Sequence, residues 1–168
     1  MTHHINAVIV LSLAATFAAP LASTTTVSAG EALPQTVQAA LTSALMDEYH
    51  AEAFYSAVLE RFGQVRPFAN IIGSEQYHAS KVAALMTAYG MDVPANTQLG
   101  SAEIAAAVPA TLGAACAIGV QAEIANAALY DDNLLPAVSG FNDITVVLEY
   151  LRDASQNNHL PAFQRCAV

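Results

Sequence analysis

Glu75-Gln-Tyr-His78 sets a carboxylate and an imidazole three residues apart. On a helix that spacing makes them neighbours on one face, able to chelate a single ion. Taken alone, such a pair is more often a solvated surface feature. Here Glu48, Glu52 and Glu123 also stand where the surrounding pattern assigns apolar core positions. A buried, unpaired carboxylate costs roughly several kcal/mol, or is driven to its neutral form. Several of them in one interior would repel each other as well. A divalent or trivalent cation removes both difficulties, so this pattern points to metal binding. Of the five histidines, His50, His78 and His159 lie beyond the apolar N-terminal stretch. His78 and His159 fall on core faces; His50 lies off its stripe and is expected to be exposed.

Four long stretches with helical periodicity must position these groups, and strand-like alternation is nowhere sustained. The first runs from about Pro34 to Phe62, with Val37, Leu41, Ala44, Glu48, Glu52, Tyr55, Leu59 and Phe62 on one stripe. The second spans about Pro67 to Tyr89, with Phe68, Ile71, Glu75, His78, Val82, Leu85 and Tyr89 aligned, and Gly90 placed to end it. The third, about Pro109 to Leu135, aligns Leu112, Cys116, Gly119, Glu123, Tyr130 and Leu134. The fourth follows Ser139-Gly140 and runs to about His159, with Ile144, Leu148, Leu151, Ser155 and His159 on its face. Pro161 should end or kink it. Tight turns join one to two and three to four, so each pair forms an antiparallel hairpin. The connection from Gly90 to about Val108, with a short helix at Ser101–Ala107, is long enough to run the length of a bundle. The expected fold is all-α: an antiparallel four-helix bundle with one long crossover between helices two and three.

The charge distribution bounds location and partners. No Lys, Arg, Asp or Glu precedes Glu31, so the net charge of −9 belongs entirely to the later part. Residues 1–29 read as a secretion signal, with an apolar run Ala7–Ala19 and small residues at Val27-Ser28-Ala29 marking cleavage after Ala29. The run lacks a basic lead, and an uncleaved anchor is the alternative, although a bilayer core takes about 20 apolar residues. Residues 30–168 then form the domain, in a periplasmic or secreted setting. Its acidity argues against nucleic acid or an anionic membrane surface as partner and for metal ions. Cys116 and Cys166 fit one disulfide in an oxidising compartment. Phosphate-binding glycine loops, CxxC pairs and nucleophile elbows are all missing.

Four blocks carry a family resemblance: Asp47-Glu48-x-x-Ala51-x-x-x-Tyr55, Phe68-x-Asn70-Ile71-x-x-Ser74-Glu75-Gln76-x-His78, Gly119-x-x-x-Glu123, and Leu151-x-x-x-Ser155-x-x-Asn158-His159-Leu160-x-Ala162-Phe163. They resemble the DUF2202 domain, a group in the ferritin-like, rubrerythrin-related superfamily. The resemblance implies a four-helix bundle with a metal site at mid-height, and nominates Glu48, Glu75, His78, Glu123 and His159 as ligands. Iron is the implied metal, mononuclear or dinuclear, with manganese or zinc compatible with the same donors. Helix four departs from the pattern, because Gln156 stands where a Glu would precede the histidine by three residues. That puts a symmetric two-iron site in doubt and makes Glu52 the obvious spare carboxylate, with Asp153 and Glu149 weaker ones.

If helices three and four are antiparallel, Glu123 and His159 share a height. Cys116 is seven residues before Glu123 and Cys166 seven after His159, so both steps lead roughly 10 Å toward one end. The cysteines can meet there; two free buried thiols are the alternative. Tyr55, Tyr77, Tyr89 and Tyr130 are ordinary core tyrosines, or include a hydrogen-bond partner or radical relay at the metal. Three functions stay open: iron chemistry that oxidises Fe(II) or reduces peroxide, metal sequestration or sensing without turnover, and a metal-free scaffold that binds a partner. A homodimer is compatible with each.

Overall fold

The computed structural model describes residues 32–167, and all regular secondary structure among them is helical. The expected signal segment and its cleavage after Ala29 lie outside the described residues.

Helix α1 spans Gln35–Phe62 and α2 spans Phe68–Ala88. Gly63, at φ 78°, turns the chain out of α1, and Gly90, at φ 71°, does so after α2. Both positions need the left-handed backbone that glycine adopts without a Cβ penalty. A short α3, Ala102–Ala107, interrupts the long connection, its start capped by the Ser101 hydroxyl accepting from the Ile104 amide at 3.3 Å. Helix α4 covers Leu112–Leu129. It starts three residues later than the sequence pattern suggests, because the Thr111 hydroxyl accepts from the Ala114 amide at 3.3 Å and fixes the first turn.

Both later helical runs contain a π-turn. Tyr130–Leu134 leads from α4 into α5, Leu135–Ala137, and Ser155–His159 leads from α6, Asn142–Ala154, into α7, Leu160–Cys166. The fourth run therefore does not end near His159, as the sequence pattern has it, but continues to Cys166. A proline inside an α-helix clashes with the carbonyl four residues back and lacks an N–H. Here Pro136 and Pro161 each stand two residues beyond a π-turn, at the start of the next α-segment, where neither problem arises.

The core has two apolar layers. One contains Leu41, Leu45, Val82, Met86, Leu134, Ile144 and Leu148. The other contains Val58, Ile71, Cys116 and an aromatic cluster in which Phe68 and Phe163 lie 5.0 Å apart and Tyr55 packs within 5.4 Å of both. Gly119 makes room for that cluster, since a Cβ there would meet the Phe163 ring at 2.6 Å. Cys116 and Cys166 come to disulfide distance, Cα–Cα 5.6 Å, tying α7 to α4 as the seven-residue steps anticipate. The pairing suits an oxidising compartment. The run Leu112–Ala137 is long and apolar enough by composition to cross a membrane. In the fold its Glu123 and Tyr130 are buried against the other helices.

Candidate metal centre

Between the two apolar layers lies a polar one. It holds Glu48 from α1, Glu75 and His78 from α2, Glu123 from α4, and Ser155 and His159 from the second π-turn, each no more than 4% exposed. All five residues nominated from the sequence are thus brought together. They form two groups that share Glu75: Glu48, Glu75 and His78, and Glu75, Glu123 and His159, with potential ligand atoms inside each group within 4.8 Å of one another.

Glu75 joins the halves. His78 Nδ1 lies 3.4 Å from Glu75 Oε2, and His159 Nδ1 lies 3.0 Å from Glu75 Oε1. Each imidazole then faces a carboxylate of its own, His78 with Glu48 at 3.3 Å and His159 with Glu123 at 3.6 Å. The two rings stack with centroids 5.7 Å apart.

Two buried tyrosines complete this arrangement crosswise. Tyr55, from α1, donates to Glu123 Oε1 at 2.9 Å, and Tyr130, from the run that carries Glu123, donates to Glu48 Oε1 at 2.9 Å. Glu48 and Tyr55 are seven residues apart, as are Glu123 and Tyr130. Burial, followed by the carboxylate each one faces, pushes both phenols well above their ordinary range. The repeated Glu-x6-Tyr spacing was the available signal for these partners. Tyr77 is exposed, and Tyr89 donates to Asp143 at 2.9 Å, so neither reaches the centre.

The π-turn settles which helix-four residue faces inward. Ser155, on the inward stripe of the sequence pattern, points its hydroxyl at Glu123 Oε2. Gln156 is turned aside, and its Nε2 donates to the Glu123 backbone carbonyl at 2.9 Å. Glu52 is only half-buried and accepts from Gln76 at 3.1 Å and Asn96 at 3.0 Å, fastening the long connection to α1. Asp153 and Glu149 are exposed, with Asp153 2.8 Å from Arg152 Nε. His50 is exposed and pairs with Gln98 at 2.7 Å. None of these completes the centre.

The acids and imidazoles of the layer shift one another's proton affinity. Burial pushes the Glu48 carboxyl up to about 8. Burial would also raise Glu75, but hydrogen bonds from His159 and then His78 outweigh it and bring Glu75 down to about 2. Burial disfavours charge on the imidazoles, yet the facing carboxylates prevail. Glu48 and Glu75 lift His78 to about 9, and Glu123 and Glu75 lift His159 to about 10. Carboxylate and imidazole donors that gather protons so tightly are a chemically suitable set for iron, manganese or zinc.

A cavity of about 160 Å³ adjoins the centre, with Glu48, Glu75, His78, Glu123, Ser155 and His159 on its floor. Phe54, Ile104, Ala107, Ile118 and Ala122 form apolar walls. His50, Ala107, Ile118 and Ala122 are exposed, so the cavity reaches solvent between α1 and α4. At its rim Asn126 Nδ2 donates to Asp47 at 2.6 Å, and burial raises the Asp47 carboxyl.

Compared with known proteins, residues 43–167 match the family model described as an uncharacterized protein domain, DUF2202. No curated protein and no solved structure gives a significant match.

Proposed function

The chain belongs to the DUF2202 family, and on that footing we propose that it is an exported ferritin-like protein whose core holds a two-ion centre, with iron the metal. Glu48, Glu75 and His78 hold one ion; Glu75, Glu123 and His159 hold the other. The observation that carries this reading is the division of Glu75, one oxygen toward each histidine, which is the arrangement of a bridging carboxylate. The ferritin-like reading is supported by the long connection between α2 and α4 and by candidate ligands drawn from α1, α2, α4 and the π-turn that follows α6. Export is supported by the cysteine pair and the apolar N-terminal run.

Iron bound there supplies one-electron redox chemistry, suited to oxidising Fe(II) or reducing peroxide. The protein's own residues hold the ligands in register. Tyr55, Tyr130 and Ser155 aim the outer carboxylates by hydrogen bonding, a support on which metal affinity commonly depends. The apolar walls admit small molecules while limiting bulk water.

Elemental analysis of protein purified without chelators tests the assignment. Two ions per chain, iron foremost, is the expected result; metal at background would refute it. Adding Fe(II) and air to the stripped protein then separates turnover from storage. Absorbance that develops faster than in protein-free buffer supports catalysis, and an uncatalysed rate with bound metal supports sequestration.

A further inference from the structure

Charge counting within the centre leads further. A bundle site built from four carboxylates and two imidazoles neutralises two divalent ions. This chain supplies three carboxylates, because Ser155 faces inward on the second π-turn and Gln156 is turned away. With Glu48, Glu75 and Glu123 ionised and both imidazoles neutral, two divalent ions leave the inner ligand set with one net positive charge. A positive charge at the floor of a partly dry cavity attracts an anion strongly.

The space above has a definite character. Polar groups at the rim are Asp47, His50 and Asn126, with Asn126 donating to Asp47, and the groups between floor and rim are apolar: Phe54, Ile104, Ala107, Ile118 and Ala122. The volume, about 160 Å³, is close to that of an apolar protein cavity of about 150 Å³ that accommodates benzene. A ligand suited to both ends has one carboxylate and a short hydrocarbon tail. Phosphate or sulfate would satisfy the charge but waste the walls, and a neutral alcohol the reverse.

We propose that the metal-loaded centre binds a short aliphatic monocarboxylate, whose head group takes the place beside Ser155 left by the missing fourth protein carboxylate and whose tail fills the cavity between α1 and α4. This inference rests on the two-ion reading above.

Calorimetric titration of butyrate into zinc-loaded protein tests it, with butyramide as the neutral isostere. Butyrate should bind at one per chain, and butyramide and zinc-free protein should each bind more weakly by on the order of a hundredfold. Ser155→Glu supplies the missing carboxylate from within. Because Ser155 also supports Glu123, butyrate is titrated against the zinc this variant is measured to hold, and butyrate binding per bound zinc pair should fall by a similar factor. Ala122→Phe, which fills the cavity from its exposed wall, should lose butyrate but retain formate. Failure of the wild-type protein to take up zinc overturns the two-ion reading itself. Zinc uptake with no butyrate binding, or butyrate binding equal in zinc-free protein or in Ser155→Glu, overturns the carboxylate proposal alone.

Discussion

The two halves of the polar layer are built from similar parts on different backbones. In the first, α1 and α2 are uninterrupted, and Glu75 and His78 sit three residues apart on adjacent turns of a regular helix. In the second, the histidine lies in a π-turn, and its inward-facing companion four residues earlier is Ser155. The inserted residue rotates the helix face and swaps a long polar side chain for a short one. The first half therefore supplies both the shared carboxylate and a complete Glu-x-x-His pair. The second depends on Glu75 for its second acid.

Removing ligands breaks this comparison with the largest effect. Glu75→Ala should bring bound metal to background, alone or with His78→Ala, because both ions lose a donor. His159→Ala should retain about one ion per chain, held by Glu48, Glu75 and His78. Equal loss in the two variants, by elemental analysis, would deny the shared role of Glu75.

The second effect is on stability against pH. For stripped protein the signs follow from the direction of each shift. Glu48 is raised from 4.5 to about 8, so its contribution declines between those values as pH rises. His78 and His159 are raised above 6.5, so what they contribute is fully present below that value and is lost as pH passes about 9 and about 10. Glu75, lowered to about 2, contributes above its ordinary range and loses that contribution only on acidification. The thermal midpoint of stripped protein should therefore fall from pH 5 to pH 9. Loaded protein should hold or gain stability over the same window, because metal displaces protons from the same ligands. Parallel curves for the two forms would contradict a shared set of groups.

The smallest effect sharpens the contrast between the outer carboxylates. Glu123 accepts from both Tyr55 and Ser155, whereas among the described residues Tyr130 is the one hydroxyl donor to Glu48. A buried acceptor left unsatisfied costs about 1–3 kcal/mol. Tyr130→Phe should thus lower stability by about that much, and Tyr55→Phe by less, as denaturant midpoints would measure.

The site was legible in the sequence because ionisable residues at core positions have few physical explanations. Glu48, Glu75, His78, Glu123 and His159 interrupt apolar stripes at helical spacing, and burial follows from that pattern. Helix ends were legible where glycine or proline marks them, at Gly63, Gly90 and Pro34. Glu52 misled because a strict three-four stripe drifts around a long straight helix, and the half-buried edge it reaches faces the connection. Ser155 faces inward as its stripe position implies, whereas Gln156 is turned aside for a different reason. An α-helical count assumes one hydrogen-bond ladder throughout, and the π-turn before Pro161 adds a residue that the count omits. A proline inside an otherwise unbroken amphipathic pattern, at Pro136 and again at Pro161, was the trace it left.

Anomalous scattering from crystals of the manganese-loaded protein addresses the shared carboxylate most directly. Two peaks should flank Glu75, one beside His78 and Glu48 and the other beside His159 and Glu123. A single peak, or manganese bound only at the acidic surface, would contradict the account.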